Sequence, residues 1–349
     1  MSILLYAALA LLSTAVIWRG SKLLESSAEQ LSRYYELPEI VHGAVVIAIG
    51  SSFPELATTV LSTLVHGEFE LGAAAIIGSA IFNILVIPGI AGLVAPQELR
   101  TTRDLVYKEA QFYMLAVALL LLCFSLAVIY HPVGQGSTQG ALLGVFDREL
   151  AMLPLGGYLL YLFLQYQDTV EFEPPPQEQV IRPLQQWLLL LLSLLVIVVG
   201  VEGLVRSALA FGEMLNTPSF LWGLTVVAIG TSVPDAFLSV RAARAGSSTT
   251  CIANVLGSNV FDLLVAIPVG ILVAGAATIN FSLAGPLMAI LALSTVALFI
   301  MMRTGMVLTR RESALLLALY TAFVIWISLE SFAVIDLVAN LPPMPATPQ

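Results

Sequence analysis

Two stretches of this sequence gather oxygen donors at the spacing of one helix face. The first reads Ala48-Ile49-Gly50-Ser51-Ser52-Phe53-Pro54-Glu55, and the second, 180 residues later, reads Ala228-Ile229-Gly230-Thr231-Ser232-Val233-Pro234-Asp235. Ser51 lies four residues and Ser52 three residues before Glu55, so on a helix all three share a side. Pro54 has no N–H and its ring crowds the carbonyl four residues back, which frees the carbonyl of Gly50 as an acceptor. Thr231, Ser232, Asp235 and the carbonyl of Gly230 repeat the arrangement. A further phrase follows each copy, Gly78-Ser79-Ala80-Ile81-Phe82-Asn83 and then Gly257-Ser258-Asn259-Val260-Phe261-Asp262. In it Ser79 and Asn83, and likewise Ser258 and Asp262, stand one helical turn apart.

Every donor in these phrases is an oxygen or an amide, with no His or Cys, and such sets suit hard cations such as Ca²⁺, Na⁺ and K⁺. The stretches are otherwise apolar. A charged side chain at the centre of a bilayer costs about 2.5–3.5 kcal/mol on insertion scales. The segments bearing these acids contain no Lys or Arg at comparable depth. Glu55 and Asp235 therefore match one divalent or two monovalent cations, and Asp262 can add a further monovalent ion or carry a proton. A site neutral under either load and costly when empty favours exchange over leak. The cations are cargo, and no cofactor is expected. The Tyr-Asp and Gly-x-Gly-Asp settings of intramembrane aspartyl proteases are absent, so the chain does not read as an enzyme.

The elements that must hold these residues are membrane helices. The chain of 349 residues is 58% hydrophobic and 11% charged, where a soluble domain carries about 25% charged residues. Its mean hydropathy is +0.94. Ten segments reach the ~20 mostly apolar residues a span needs: 2–20, 38–65, 71–95, 105–130, 140–165, 184–205, 219–243, 250–276, 282–303 and 312–338. The apolar N-terminus lacks a basic n-region and reads as a retained helix. Twelve of the 14 Lys and Arg residues fall in the odd-to-even connections, leaving Arg148 and Arg206 on the other side. That places those connections in the cytoplasm and both termini outside. Five spans per half is odd, so the halves are inverted relative to one another, a transporter architecture with two similar packings, one open to each side.

The expectation is an all-α membrane protein of ten transmembrane helices in two inverted five-helix repeats. The first repeat covers residues 1–165 with its motif at 45–90, and the second covers 184–340 with its motif at 225–270. Residues 166–183 form an acidic, Pro-rich cytoplasmic linker and 341–349 a disordered tail. Stretch 21–39, mixed in polarity, extends span 1 or lies in the interface. Cys123 and Cys251 read as small buried hydrophobes, and His42, His66 and His131 make no metal-ligand pattern. The partners implied are inorganic cations and the lipid bilayer, with no nucleic-acid surface. All four motifs lie in one chain, so a monomer suffices.

At these motifs the chain resembles the cation/Ca²⁺ exchanger superfamily, the sodium/calcium exchangers, whose two repeats carry G-[ST]-S-x-P-[ED] and then G-S-x-x-x-[ND]. The resemblance implies that Glu55 and Asp235 coordinate Ca²⁺ with Ser51 and Thr231. It implies Na⁺ sites at Ser52, Ser79, Ser232 and Ser258, helped by the carbonyls of Ala48 and Ala228, with Asn83 and Asp262 flanking the centre. It also implies a core of spans 2, 3, 7 and 8, with spans 1 and 6 as a sliding gate. Asp235 stands where many members carry Glu. Asp262 looks most like the potassium-dependent branch, although some potassium-independent prokaryotic members share it. The Gly-Asn-Ala-x-Glu signature of proton/calcium exchangers is absent, so Na⁺/Ca²⁺ antiport is the expected function, with K⁺-dependent or H⁺-coupled exchange as the alternatives and a cation channel as the less favoured one. A prokaryotic plasma (inner) membrane is the expected location.

Overall fold

The computed structural model describes residues 2–35, 48–133, 142–167, 182–332 and 334–335. Most of the expected linker, the tail and the start of the second expected span lie outside these. The described helices are α1 (Ile3–Tyr34), α2 (Ala48–Leu64), α3 (Phe69–Val94), α4 (Leu105–Tyr130), α5 (Arg148–Gln167), α6 (Pro183–Leu215), α7 (Ser219–Arg244), α8 (Ser248–Ala274), α9 (Phe281–Arg303) and α10 (Arg310–Ser331). All but α2 and α5 are long and apolar enough to cross a membrane by length and composition, eight helices among the described residues.

Four short strands are the departure from an all-helical chain. β1 (Leu99–Arg100) pairs antiparallel with β4 (Val307–Leu308), and β2 (Leu143–Asp147) pairs antiparallel with β3 (Ala276–Asn280). β2 occupies residues expected to open the fifth span. The alternating pattern of Leu-Gly-Val-Phe-Asp explains it, since it turns Phe146 inward onto Phe124, with ring centroids 5.7 Å apart, as a half-buried strand requires. Asp147 then starts α5, its Oδ1 accepting the N–H of Leu150 at 3.0 Å in the manner of an N-cap. Two other boundaries move. α1 stays helical through the mixed stretch to Tyr34, and α6 runs to Leu215, where Asn216 ends it in the left-handed conformation, φ 51°.

α3 is apolar on every side, the signature of a buried helix, and it runs through the middle of the bundle against α2, α7 and α10. α8 is similarly enclosed. α1 and α6 form a separate pair with aliphatic outer faces, Leu4, Leu11 and Leu12 on one and Leu188, Leu191, Leu195 and Val199 on the other. Their contact is reciprocal. A methyl group on Gly20 would lie 2.7 Å from Cγ1 of Ile197, and one on Gly200 would lie 2.7 Å from Cγ1 of Ile17. Both partner positions are 180 residues apart, the spacing that also relates Gly50 to Gly230 and Glu55 to Asp235. Glycines at such crossings let membrane helices approach closely.

The approach of α3 to α7 is tighter, because a methyl on Gly78 would strike the backbone carbonyl of Leu224. Backbone cannot rotate aside as a side chain can. Gly78→Ala is therefore expected to cost about 1–3 kcal/mol by overpacking, read as a lower unfolding temperature in detergent. Gly156→Ala, which meets nothing within 4 Å, is the control that should show no such loss.

Candidate cation site

The four repeated phrases meet at the centre of the bundle. α2 continues as a helix through Pro54 and α7 through Pro234. Glu55 and Asp235 project from them, each 1% exposed, and Asp262 from α8 is fully buried. Ser51, Ser52, Ser79, Asn83, Thr231, Ser232 and Ser258 are buried with them.

The halves exchange partners across this centre. Thr231 stands against Glu55, and Ser51 against Asp235, each hydroxyl facing the carboxylate of the opposite half. Ser79 Oγ lies 2.7 Å from Ser232 Oγ and donates at 3.5 Å to Glu55 Oε1. Asn83 Nδ2 donates to Asp235 Oδ2 at 3.5 Å. Ser52 stands beside Asp262 without closing a hydrogen bond of normal geometry.

The hydrogen-bond balance is lopsided. Glu55 Oε2, Asp235 Oδ1, both carboxylate oxygens of Asp262, Asn83 Oδ1 and Ser52 Oγ are buried without a partner among the described residues. A buried acceptor left unpaired costs about 1–3 kcal/mol, and more when charged, and three carboxylates in one enclosed region repel each other. The chemistry missing here is positive charge. Among the described residues no three His, Cys, Asp or Glu side chains converge as a resident metal centre would. The oxygens come instead from carboxylates, hydroxyls and amides together, which suits an ion that must leave again.

Two of the expected donors are placed differently from the rest. The carbonyl of Ala228 accepts from its own helix, from Ser232 Oγ at 2.7 Å and Thr231 Oγ1 at 3.3 Å, so it reaches an ion only if those hydroxyls turn away. Ala48 opens the described part of α2, one turn before Ser51 and Ser52.

Three polar residues join the site that the motif spacing did not single out. Asn259 bridges the halves, accepting from Asn83 Nδ2 at 3.0 Å and donating to the carbonyl of Ala80 at 3.1 Å and the hydroxyl of Tyr113 at 3.2 Å. Asn254, beside Asp235, donates its Nδ2 to Ser239 Oγ at 3.0 Å while its backbone carbonyl accepts from Ser258 Oγ at 2.9 Å. Asn254 lies one turn before Ser258, and that spacing is the signal that could have found it. Tyr113 sits in an apolar stretch of α4 and carries no such signal.

Asp262 opens a π-helical turn, Asp262–Ala266, just before Pro268. The wider turn spares Leu264 the clash a proline imposes on the carbonyl four residues earlier, and such bulges recur at functional sites. Below Glu55 on α2, Thr58, Thr59 and Ser62 bond back to carbonyls of their own helix. A cavity of about 540 Å³ opens beyond them, lined by Thr63, Glu68, Glu70 and Thr278. It lies at the turn between α2 and α3, roughly 12 Å along the helix from Glu55 at 1.5 Å per residue, and no residue of the four repeated phrases lines it.

A family model described as sodium/calcium exchanger protein matches residues 5–167 and 185–329. The chain belongs to this sodium/calcium exchanger family. It is 25% identical over 341 residues to the sodium/calcium exchanger MaX1 of Methanosarcina acetivorans, covering 90% of this chain and 96% of that one. It is 27% identical over 265 residues to the inner membrane protein YrbG of Escherichia coli, covering 73% and 78%. A segment of 96 residues is 41% identical to the mouse sodium/potassium/calcium exchanger 4, covering 27% of this chain and 15% of the relative. In fold, the chain is similar to the sodium-calcium exchanger NCX_Mj soaked with Na⁺ and Sr²⁺, with a TM-score of 0.61 and 22% identity over 93% of this chain and 99% of that one.

For this exchanger family member, Asn259 tests the bridge between halves. Asn259→Leu leaves the Tyr113 hydroxyl and the Asn83 amide short of a buried partner, at a cost of about 1–3 kcal/mol. The unfolding temperature in ion-free detergent should fall, and an unchanged value would mean that the bridge carries no load.

Proposed function

We propose that the chain is a secondary antiporter that exchanges Na⁺ for Ca²⁺ by alternating access at one site lined by Glu55 and Asp235. The observation that carries this reading is the set of buried, partnerless acceptor oxygens at the meeting point of the four motifs. They make a water-poor place that is stable only with cations in it. Ca²⁺ takes Glu55 and Asp235 with Ser51 and Thr231. Na⁺ takes Ser52, Ser79, Ser232 and Ser258 with the carbonyls of Ala48 and Ala228. The same carboxylates serve both loads, so arriving Na⁺ displaces Ca²⁺.

Ten spans in two inverted repeats, with termini outside, give this site its two routes. The reciprocal packing of Gly20 on Ile197 and Gly200 on Ile17 supports that symmetry. It also fits α1 and α6 moving together as the gate against a core of α2, α3, α7 and α8. The membrane is the prokaryotic plasma membrane, in keeping with the name of the Escherichia coli relative. A second reading, potassium-dependent exchange, is favoured by Asp262 and by the 96-residue similarity to a sodium/potassium/calcium exchanger. In that case Asp262 holds K⁺.

Purified protein in Na⁺-loaded vesicles, diluted into Na⁺-free medium with radiocalcium, should take up Ca²⁺ only when Na⁺ is inside. Glu55→Gln or Asp235→Asn should bring uptake to background, since each removes one of two charges. Wild-type uptake by either variant would contradict the site. A K⁺ stimulation lost in Asp262→Asn would select the second reading, and uptake driven by a pH gradient alone would move the protein to proton coupling.

A further inference from the structure

The two halves, offset by 180 residues, differ chemically at a matched position. On α1 and α6 the offset pairs Ile17 with Ile197 and Gly20 with Gly200, and it pairs Glu25 with Val205. Val205 is fully buried. Glu25 is half-buried and lies against the start of the α2 motif. A methyl on Gly50 would sit 3.7 Å from the Glu25 Cγ and 3.9 Å from its Cα, within ordinary van der Waals contact, so Glu25 packs directly on the opening turn of the motif. The carbonyl of Gly50 is the one that Pro54 frees from its helical bond. Glu25 is also near enough to Asp235 for the two carboxylates to interact, with Lys22 and Glu29 as the other charged neighbours on its own helix. Asp235 Oδ1 has no partner among the described residues. In the other half, the nearest atoms to a methyl on Gly230 belong to the aliphatic chain of Leu204 and the Thr14 hydroxyl.

We infer that Glu25 is a cation-guiding residue on one of the two access routes, the one reached from the face where α1 ends, and that it makes capture of Ca²⁺ tighter from that face than from the other. The inference rests on the exchange reading above and adds to it a sidedness that the symmetric motifs do not supply. A cleft lined by one sign of charge with low-dielectric walls raises the local counter-ion concentration by about 10–10³, and a single carboxylate supplies the low end of that range. An acid on a gate helix delivers that gain only where the gate opens towards it. Glu25 sits outside the Ca²⁺ ligand set, so its loss should weaken capture and leave turnover at saturation.

The test uses the full chain in Na⁺-loaded vesicles, with initial Ca²⁺ uptake measured against Ca²⁺ in the bath. Glu25→Cys is treated from the bath with a membrane-impermeant anionic or cationic methanethiosulfonate, which reaches only molecules whose α1 C-terminal face is turned outward. Cys123 and Cys251 are both buried, and the wild-type chain treated in the same way is the control. Glu25→Gln and untreated Glu25→Cys should raise the KM for Ca²⁺ about tenfold in that population, at the low end of such focusing, with maximal rate kept. The anionic adduct should return the KM towards wild type and the cationic adduct should raise it further. Equal effects of the two reagents would reduce Glu25 to a packing residue and overturn the inference. A KM in Glu25→Gln equal to wild type would overturn it too. A wild-type chain that exchanges no Na⁺ for Ca²⁺ would instead overturn the exchange reading itself, and this inference with it.

Discussion

The constraint on which the rest of the structure depends is the burial of Glu55, Asp235 and Asp262 in one apolar bundle with no basic side chain at their depth on the same spans, Arg241 and Arg244 lying in the last turn of α7. Burying charge without a partner is among the costliest arrangements a protein can hold. Every neighbouring choice answers to it. Hydroxyls rather than aliphatic groups face the acids, prolines free backbone carbonyls towards them, and Asn83 and Asn259 link the halves with amides that donate as well as accept. The unpaired oxygens that remain are a demand for cations. In the proposed exchange, a bundle comfortable only when loaded would resist leaking ions and tolerate swapping them.

The second constraint is the way the halves grip each other. Thr231 faces Glu55 while Ser51 faces Asp235, so neither half completes a site alone. The glycines at Gly78, Gly20 and Gly200 bring backbones close enough for such short polar side chains to meet. The α1–α6 pair grips itself through matched Gly–Ile contacts, while its outer faces are aliphatic. A pair bound more closely to itself than to the core is suited to moving as a unit.

Much of this was legible in the sequence because it depends on short-range spacing. Residues three and four apart on a helix had to share a face, and Ser51, Ser52 and Glu55 do. The α4 span was legible to the residue, because its long apolar run from Phe112 to Tyr130 outweighs the polar Lys108 and Glu109 in its first turns. Where tertiary packing decides, the reading stopped. β2 forms because Phe146 finds Phe124, a contact between distant segments. α6 continues ten residues past its expected end, where Arg206 finds a partner one turn back in its own helix. Glu202 takes Arg206 Nε at 2.6 Å and His66 Nε2 at 3.1 Å, and so ties α6 to the end of α2. Tyr113 joins the site from α4 only because α4 packs on α8. Glu25 looked like one charge in a mixed stretch until the fold set it against Gly50.

The central claim is that one carboxylate-lined site is loaded by either ion in turn. Its most direct test is equilibrium binding of radiocalcium to the detergent-purified chain while Na⁺ is titrated in, with choline replacing Na⁺ to hold ionic strength. The account predicts that Na⁺ displaces Ca²⁺ completely, with a slope steeper than one ion for one ion because two monovalent charges replace one divalent. Glu55→Gln should lose the binding that Na⁺ competes for. Ca²⁺ that stays bound at saturating Na⁺ would mean separate sites and would contradict the account.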